Sequence, residues 1–140
     1  RELFERPQHT FVGYFVGSPG MNLIEVQARE GGVAFGDQQL PLPAALAGQL
    51  PGLATKRLHI GIRPEFVQVS DEPGVGGMLA QAVRVEDLGT YKILTLRVNG
   101  HLIKARLPED QAVPKGEAWV GFPAQWLMLY ADDRLVEAQP

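Results

Sequence analysis

The sequence predicts a mainly β fold, built as a small antiparallel barrel or sandwich. Glycine and proline contribute 16 and 11 of the 140 residues, about a fifth of the chain against a usual share of roughly 12%. Such a composition disfavours long helices. Runs of alternating polar and apolar residues are separated by turn signals at intervals of roughly 8 to 12 residues, which is typical of small all-β domains. The dipeptide Asn99-Gly100 is the strongest of these signals, because a type I′ hairpin turn needs positive φ at both positions.

The first twenty residues predict a helix and a linker. A helix is expected from about Gln8 to Phe15, after a break at Pro7, and a stretch rich in glycine and proline follows at 17–20. We therefore expect a boundary between a segment 1–20, left from a preceding domain, and a β domain at 21–140. The chain starts without methionine, which predicts that it is part of a longer protein.

From Asn22 the apolar period changes to two, as expected for strands. The next elements are a hairpin around Gly31-Gly32, one helical turn at 44–50, strands at 58–62 and 66–69 interrupted by Pro64, a loop at 71–77, and a long strand at 78–88 that ends at Gly89. After the Asn99-Gly100 hairpin we expect a turn at 114–116, strands at 119–122 and 127–130, a turn at 132–133 and a last strand at 135–137.

The turn at Asn99-Gly100 also fixes the register of its hairpin. Val98 should face His101, and the next pairs on that face are Leu96 with Ile103 and Leu94 with Ala105. We expect one face to be buried and the other to be wet. The predicted buried face holds Leu94, Leu96, Val98, Ile103 and Ala105, and the predicted wet face holds Thr95, Arg97, Lys104 and Arg106 with Ile93 and Leu102.

Composition and motifs exclude several functions. The chain has no cysteine, so disulfides, zinc ribbons and thiol nucleophiles are excluded. A net charge of -3 opposes general nucleic-acid binding, and the longest uncharged stretch, 118–131, is shorter than the roughly 20 apolar residues of a membrane-spanning helix. The sequence contains no GxSxG, HExxH or GxxxxGK[ST] pattern and no closely spaced histidines. We therefore predict no catalytic residue, no bound cofactor and no metal site in these 140 residues.

Three segments carry a resemblance to a known family. They are ELFERPQHTFVGYFVGSPGMN at 2–22, GIRPE at 61–65 and VEDLG at 85–89. In these motifs the chain resembles the ATP-binding subunits of bacterial ABC importers for sugars and glycerol 3-phosphate. The first segment is similar to the end of the nucleotide-binding domain and its junction, and the others are similar to the C-terminal regulatory region.

The resemblance implies a fold and a set of partners. It implies an antiparallel β-barrel of the OB-like or MOP-like (TOBE) type, with a short N-terminal helix left from the upstream ATPase domain, which would bind ATP and Mg. The implied partners are a second copy of the subunit, membrane permeases reached through the missing domain and, in some members, a regulatory protein, with no nucleic acid. The implied location is cytoplasmic and peripheral, on the inner face of the cell membrane.

Five residues are predicted as interface or ligand contacts: Arg63, Glu65, Glu86, Gly89 and Trp126. For each, a structural role is the competing and favoured interpretation. Arg63 and Glu65 flank a proline bend and could pair with neighbouring loops. Glu86 beside Gly89 could end a solvated strand, and Trp126 could belong to the core or the barrel rim, although aromatic residues are also enriched at interfaces.

Three functions follow as hypotheses. The first is a non-catalytic regulatory and dimerisation module of an importer ATPase subunit, whose predicted N-terminal helix packs on the barrel or on another copy. The second is a sensor of small solutes or oxyanions, with a ligand near Gly89-Thr90 or Arg63. The third is a single-stranded nucleic-acid binder, for which Arg97, Lys104 and Arg106 offer charge without interleaved aromatic residues.

Overall fold

The computed structural model describes residues 20–74 and 77–138, and they are mainly β, as predicted. The predicted helix at 8–15 and most of the linker at 17–20 lie outside the described residues, so the domain boundary stays a prediction. The chain divides into two compact units, one up to Ile62 and from Ala124 onward, the other Arg63–Pro123. No helix in the described ranges has both the length and the apolar character needed to cross a membrane.

The first unit contains an antiparallel sheet of six strands, in the order β11-β10-β4-β1-β2-β3. Its strands are β1 (Asn22–Arg29), β2 (Gly32–Phe35), β3 (Gln38–Pro41), β4 (Leu58–Ile62), β10 (Met128–Ala131) and β11 (Arg134–Leu135). A one-turn helix, α1 (Ala44–Ala47), and 3-10 turns at Leu50–Leu53 and Ala124–Trp126 connect them. The predicted hairpin at Gly31-Gly32 and the predicted helical turn after Pro43 are confirmed.

The core of this unit lies around β4, which pairs with β1 on one side and β10 on the other. Ile60 is opposite Ile24 and Leu129, and all three side chains are buried. The buried Tyr130 hydroxyl lies 3.7 Å from the sulfur atoms of both Met21 and Met128, either of which can accept its single proton. An apolar cluster therefore satisfies its phenol group with thioether acceptors.

The second unit contains an antiparallel sheet of five strands, in the order β5-β9-β6-β7-β8. Its strands are β5 (Gln68–Ser70), β6 (Met78–Asp87), β7 (Tyr91–Val98), β8 (His101–Pro108) and β9 (Glu117–Gly121), and a 3-10 turn spans Pro64–Phe66. The sequence predicts that a strand resumes after Pro64. A strand, β5, does begin at Gln68. It pairs with β9 in this sheet and does not continue the ladder of β4.

The hairpin of β7 and β8 has the predicted register. Val98 is opposite His101, and the next predicted pairs, through Leu96 and Leu94, follow in order. Asn99 and Gly100 have φ of 51° and 84°, as a type I′ turn requires. The predicted apolar face is buried throughout: Leu94, Leu96, Val98, Ile103 and Ala105.

The prediction for the opposite face is wrong at two positions. Ile93 and Thr95 are each only 4% exposed, although the alternation predicts that they are wet. Both lie on the central strand of three, between long charged side chains whose aliphatic stems can cover apolar surface. These neighbours are Glu86 and Arg106 beside Ile93, and Arg84 and Lys104 beside Thr95.

A β-bulge interrupts β6 at Val83. Ala82 is opposite Leu96, whereas Arg84 is opposite Thr95, the adjacent residue of β7, so Val83 has no counterpart on that strand. Because of this extra residue, the side chains of β6 that share a face with Leu94 and Leu96 are at even positions before the bulge and at odd positions after it. Val85 therefore shares a face with Leu94. The predicted strand at 78–88 is confirmed in extent as Met78–Asp87, while nothing in the alternation predicts the bulge.

We expect Gly61→Ala to destabilise the protein by about 1–3 kcal/mol, because it overpacks a closed core. A Cβ at Gly61 would lie 2.7 Å from Met21 Sδ and 3.1 Å from Tyr130 Cε2, and both side chains are buried. Urea denaturation followed by circular dichroism measures the change. Gly52→Ala in the same unit is the matched control, since a Cβ there meets nothing within 4 Å. Equal stability of the two variants would contradict the packing described for Gly61.

We expect Leu96→Ala to lower the free energy of unfolding by about 2–5 kcal/mol, because the side chain is fully buried and its removal leaves a cavity. Leu102→Ala, one strand away and on the opposite face, should change it by less than about 0.5 kcal/mol, since Leu102 is 61% exposed. The same denaturation experiment compares them. A large loss for Leu102→Ala would show that this face is covered in solution.

Candidate interaction surface

The five residues predicted as contacts are divided between the two units. Arg63, Glu65, Glu86 and Gly89 belong to the second unit, whereas Trp126 ends a 3-10 turn of the first. The Trp126 side chain is 43% exposed, which fits the predicted rim position or an interface anchor. Whether any of the five contacts a ligand or a partner stays a prediction.

The segment around Pro64 is organised by the backbone. The carbonyl of Arg63 accepts the N–H of Phe66 at 3.0 Å and closes a 3-10 turn whose first residue is Pro64. This turn packs against β8. The Arg63 side chain is only 2% exposed, while Glu65 lies in solvent. Of the two predicted contacts, only Glu65 is displayed on the surface of the chain.

Gly89 has a conformational role at the end of β6. Its φ of +91° belongs to the region that favours glycine, and the Leu88 N–H donates to the Tyr91 carbonyl at 2.9 Å to close the turn into β7. The Gly89 N–H donates to Asp87 Oδ1 at 2.9 Å. An oxyanion at this amide would have to displace a carboxylate, so the geometry offers no support for the sensor hypothesis here.

Several exposed apolar residues of the second unit lie near this end of β6. They include Val83, Val85 and Leu88, which are 45%, 48% and 51% exposed. Glu86 is also exposed, and its carboxylate lies 3.9 Å from Arg84 Nε on the same face. Both apolar and charged groups are therefore offered to solvent along one short segment.

This segment is unpaired along one side. β9 pairs with β6 only as far as Gln81, opposite Glu117, and the last backbone bond runs from the Ala82 N–H to the Gly116 carbonyl at 2.8 Å. Within the described ranges, no strand follows β9 along Val83–Asp87. We call Val83–Asp87 the open edge of β6. Sequence reasoning missed it, although the alternation of valine with charged residues at 83–87 is a visible signal.

A groove of about 290 Å³ lies beside the open edge. The side chains of Val85 and Leu94 form one wall, and the loop before β9, with Val113, Pro114 and Lys115, forms the other. The groove follows from the different lengths of the two strands, because β9 begins beyond it. The lining of the groove is mostly apolar, and its two charged residues are Arg84 and Lys115.

Other surfaces of the described residues provide weaker candidates for a binding site. A depression of about 410 Å³ in the first unit is lined by the β1–β2 turn and β3, but the Arg29 guanidinium there already donates to the Ala28 carbonyl and to Gln27 Oε1. Across residues 20–74 and 77–138, no three histidine or acidic side chains gather closely enough to hold a metal ion.

Part of the chain matches a known domain. Residues 17–67 match the family model of the MalK OB fold domain. This range contains β1 to β4 and the GIRPE segment, whose Gly61 packs against Met21 and Tyr130. The OB-like fold expected from the resemblance is thereby confirmed.

Similar proteins are ATP-binding subunits of importers. The sn-glycerol-3-phosphate import ATP-binding protein UgpC of Chromobacterium violaceum is 47% identical over 76 residues, 52% of this chain and 20% of that protein. UgpC of Burkholderia mallei is 35% identical over 133 residues, covering 92% and 36%. The sulfoquinovosyl glycerol transport ATP-binding protein SmoE of Agrobacterium fabrum is 32% identical over 123 residues, covering 86% and 34%. The chain thus spans about a third or less of these relatives. Its homologues are ATP-binding subunits of sugar and glycerol 3-phosphate ABC importers, and its residues 17–67 match the MalK OB fold domain.

Proposed function

We propose that this chain is the regulatory and dimerisation region of an ABC-importer ATP-binding subunit that energises uptake of a sugar or a solute like glycerol 3-phosphate. The observation that carries the proposal is the alignment of 92% of the chain with about a third of a glycerol 3-phosphate import subunit, together with the MalK OB match. The class of solute is taken from the names of the relatives. That this chain serves the uptake of such a solute is part of the proposal.

The region acts through binding surfaces rather than bond chemistry. The sequence holds no GxxxxGK[ST] loop to cradle nucleotide phosphates, so ATP and Mg belong to the rest of the subunit. That part also contacts the permeases at the inner face of the membrane. The described residues display exposed segments such as the open edge of β6 and Trp126, through which a second copy or a regulatory protein is recognised.

The proposal is tested with a chimeric transporter. This chain replaces its matching region in SmoE of Agrobacterium fabrum, and uptake of sulfoquinovosyl glycerol is measured in cells that lack the native subunit. We expect uptake well above that of a SmoE truncated before this region, because the replacement restores the missing regulatory domain. The isolated 140-residue chain should hydrolyse no ATP.

The chimera carrying Gly61→Ala is a matched variant, since it should lose uptake in proportion to its loss of folding. A chimera that accumulates and folds but transports no better than the truncated subunit would contradict the proposal. ATP hydrolysis by the isolated chain, above that of a heat-denatured sample, would also contradict it.

A further inference from the structure

Among residues 20–74 and 77–138, the open edge of β6 has a neighbouring strand on one side only. All five of its side chains are exposed, and β7 pairs with it on one side only. Unpaired strands of this kind readily accept another strand, and most proteins block them with charge, a bulge or a covering segment. Here a bulge sits at Val83, and the charged residues beyond it have both signs.

The backbone of this edge faces outward at Val85. The Leu88 N–H donates to the Tyr91 carbonyl, and hydrogen-bonded pairs alternate along an antiparallel ladder. Glu86 with Ile93 and Arg84 with Thr95 are therefore the next hydrogen-bonded positions. The N–H and C=O of Val85 lie between them and point away from β7. They are the groups that a further strand would bond.

The charges of the edge are complementary to themselves. If two copies align antiparallel about a two-fold axis at Val85, each Arg84 lies opposite Glu86 of the partner subunit. Within one chain these two side chains already share a face, 3.9 Å apart. The four charges would alternate in sign around the axis, and opposite charges across strands stabilise such pairs.

The apolar groups of the edge fit the same arrangement. The axis places Val85, which is nearly half exposed, beside Val85 of the partner subunit, on the face that borders the groove with Leu94. Both valines would then lose solvent contact. An isologous contact needs only one surface patch of this kind, because the symmetry supplies its complement.

The edge of the same sheet that β8 forms is not complementary in charge to a second copy of itself. β8 carries Lys104 and Arg106, so a two-fold axis at Ala105 would place cations opposite one another, and like charges directly opposite are destabilising. The 3-10 turn at Pro64–Phe66 also packs against β8. Of these two edges, only that of β6 suits a second copy.

We propose that two copies of this chain associate by antiparallel pairing of Val83–Asp87, centred on Val85, so that their five-stranded sheets join into one. This inference rests on the dimerisation role proposed above and assigns the surface that performs it. Because only five residues a side are paired, the contact is small, and the isolated chain forms a weak dimer.

A cysteine at the axis tests the pairing directly. The chain has no cysteine, so Val85→Cys introduces a single thiol. Directly opposed residues of a hydrogen-bonded pair have Cα atoms about 5.5 Å apart, within the span of about 4.4–6.8 Å that a disulfide bridges. We expect mild oxidation of the 140-residue chain to give a covalent dimer, measured by non-reducing electrophoresis.

Leu102→Cys is the matched control. Leu102 is 61% exposed, more than Val85, so random collision would link Leu102→Cys faster. Faster dimer formation by Val85→Cys therefore supports pairing at β6. Equal rates, or a faster rate for Leu102→Cys, would overturn it.

Charge exchange gives a second test in the Val85→Cys background. Arg84→Glu and Glu86→Arg, each alone, place like charges across the axis and should slow disulfide formation roughly two- to ten-fold. The double variant restores opposite charges and should recover most of the rate. Both side chains are exposed, and circular dichroism checks that the fold is retained. A double variant no faster than the single variants would overturn the inference.

Sedimentation of the unsubstituted chain separates this inference from the proposed function. If the unsubstituted chain dimerises but Val85→Cys forms its disulfide no faster than Leu102→Cys, pairing at β6 is overturned. The proposed dimerisation role would then be performed by another surface. A chain that remains monomeric at millimolar concentration would also overturn pairing at β6. Uptake by the chimera is measured independently of either result.

Discussion

The second unit depends on one constraint, which is that β6 is twice as long as β9, one of its two neighbouring strands. β6 has ten residues and β9 has five, so β9 can cover only the first half of its neighbour. In that half Met78 and Ala80 are buried, whereas Val85, on the same face beyond the bulge, is nearly half exposed. The end of β9 therefore decides where the core stops, where the groove opens and which backbone groups of β6 have no strand beside them.

Local signals predicted local structure well. The Asn99-Gly100 turn fixed the whole register of the β7–β8 hairpin, because two positive φ values and a period of two leave one way to pair the strands. Gly31 served the first hairpin in a similar way, with a φ of +77°. Each of these features is determined by residues within one turn and its two flanking strands.

Features that depend on distant segments were not predictable from the pattern. Ile93 and Thr95 are buried although the alternation predicts a wet face, and their cross-strand neighbours on β6 and β8 carry long side chains that the pattern of β7 alone does not reveal. Pro64 ends one ladder, but its effect is to send the chain into another sheet, where β5 meets a strand some fifty residues later. A period-two pattern carries no information about which strand will be the neighbour.

The recognised motifs mark constraints of the fold more than contacts. In GIRPE, Gly61 leaves space for Met21 and Tyr130, and Arg63 is buried. In VEDLG, Gly89 supplies a positive φ and accepts no side chain without strain. These structural roles explain why the motifs predicted the family correctly, while the five residues predicted as contacts are divided between the two units. The open edge became visible only once the start of β9 was known.

The charges on this edge have two opposite consequences. Arg84, Glu86 and Asp87 place charges on the edge and so oppose indiscriminate pairing with a hydrophobic strand, which is a common protection of exposed edges. The same alternation of sign favours a strand that carries the reverse order, and an antiparallel copy of β6 has that order. Each net hydrogen bond contributes only about 0.5–1.5 kcal/mol, so a contact of five residues separates easily by itself. In the subunit proposed above, other domains that bring two copies together would raise the effective concentration of the two edges. A contact that is weak by itself would then form only when the proposed assembly aligns the two copies.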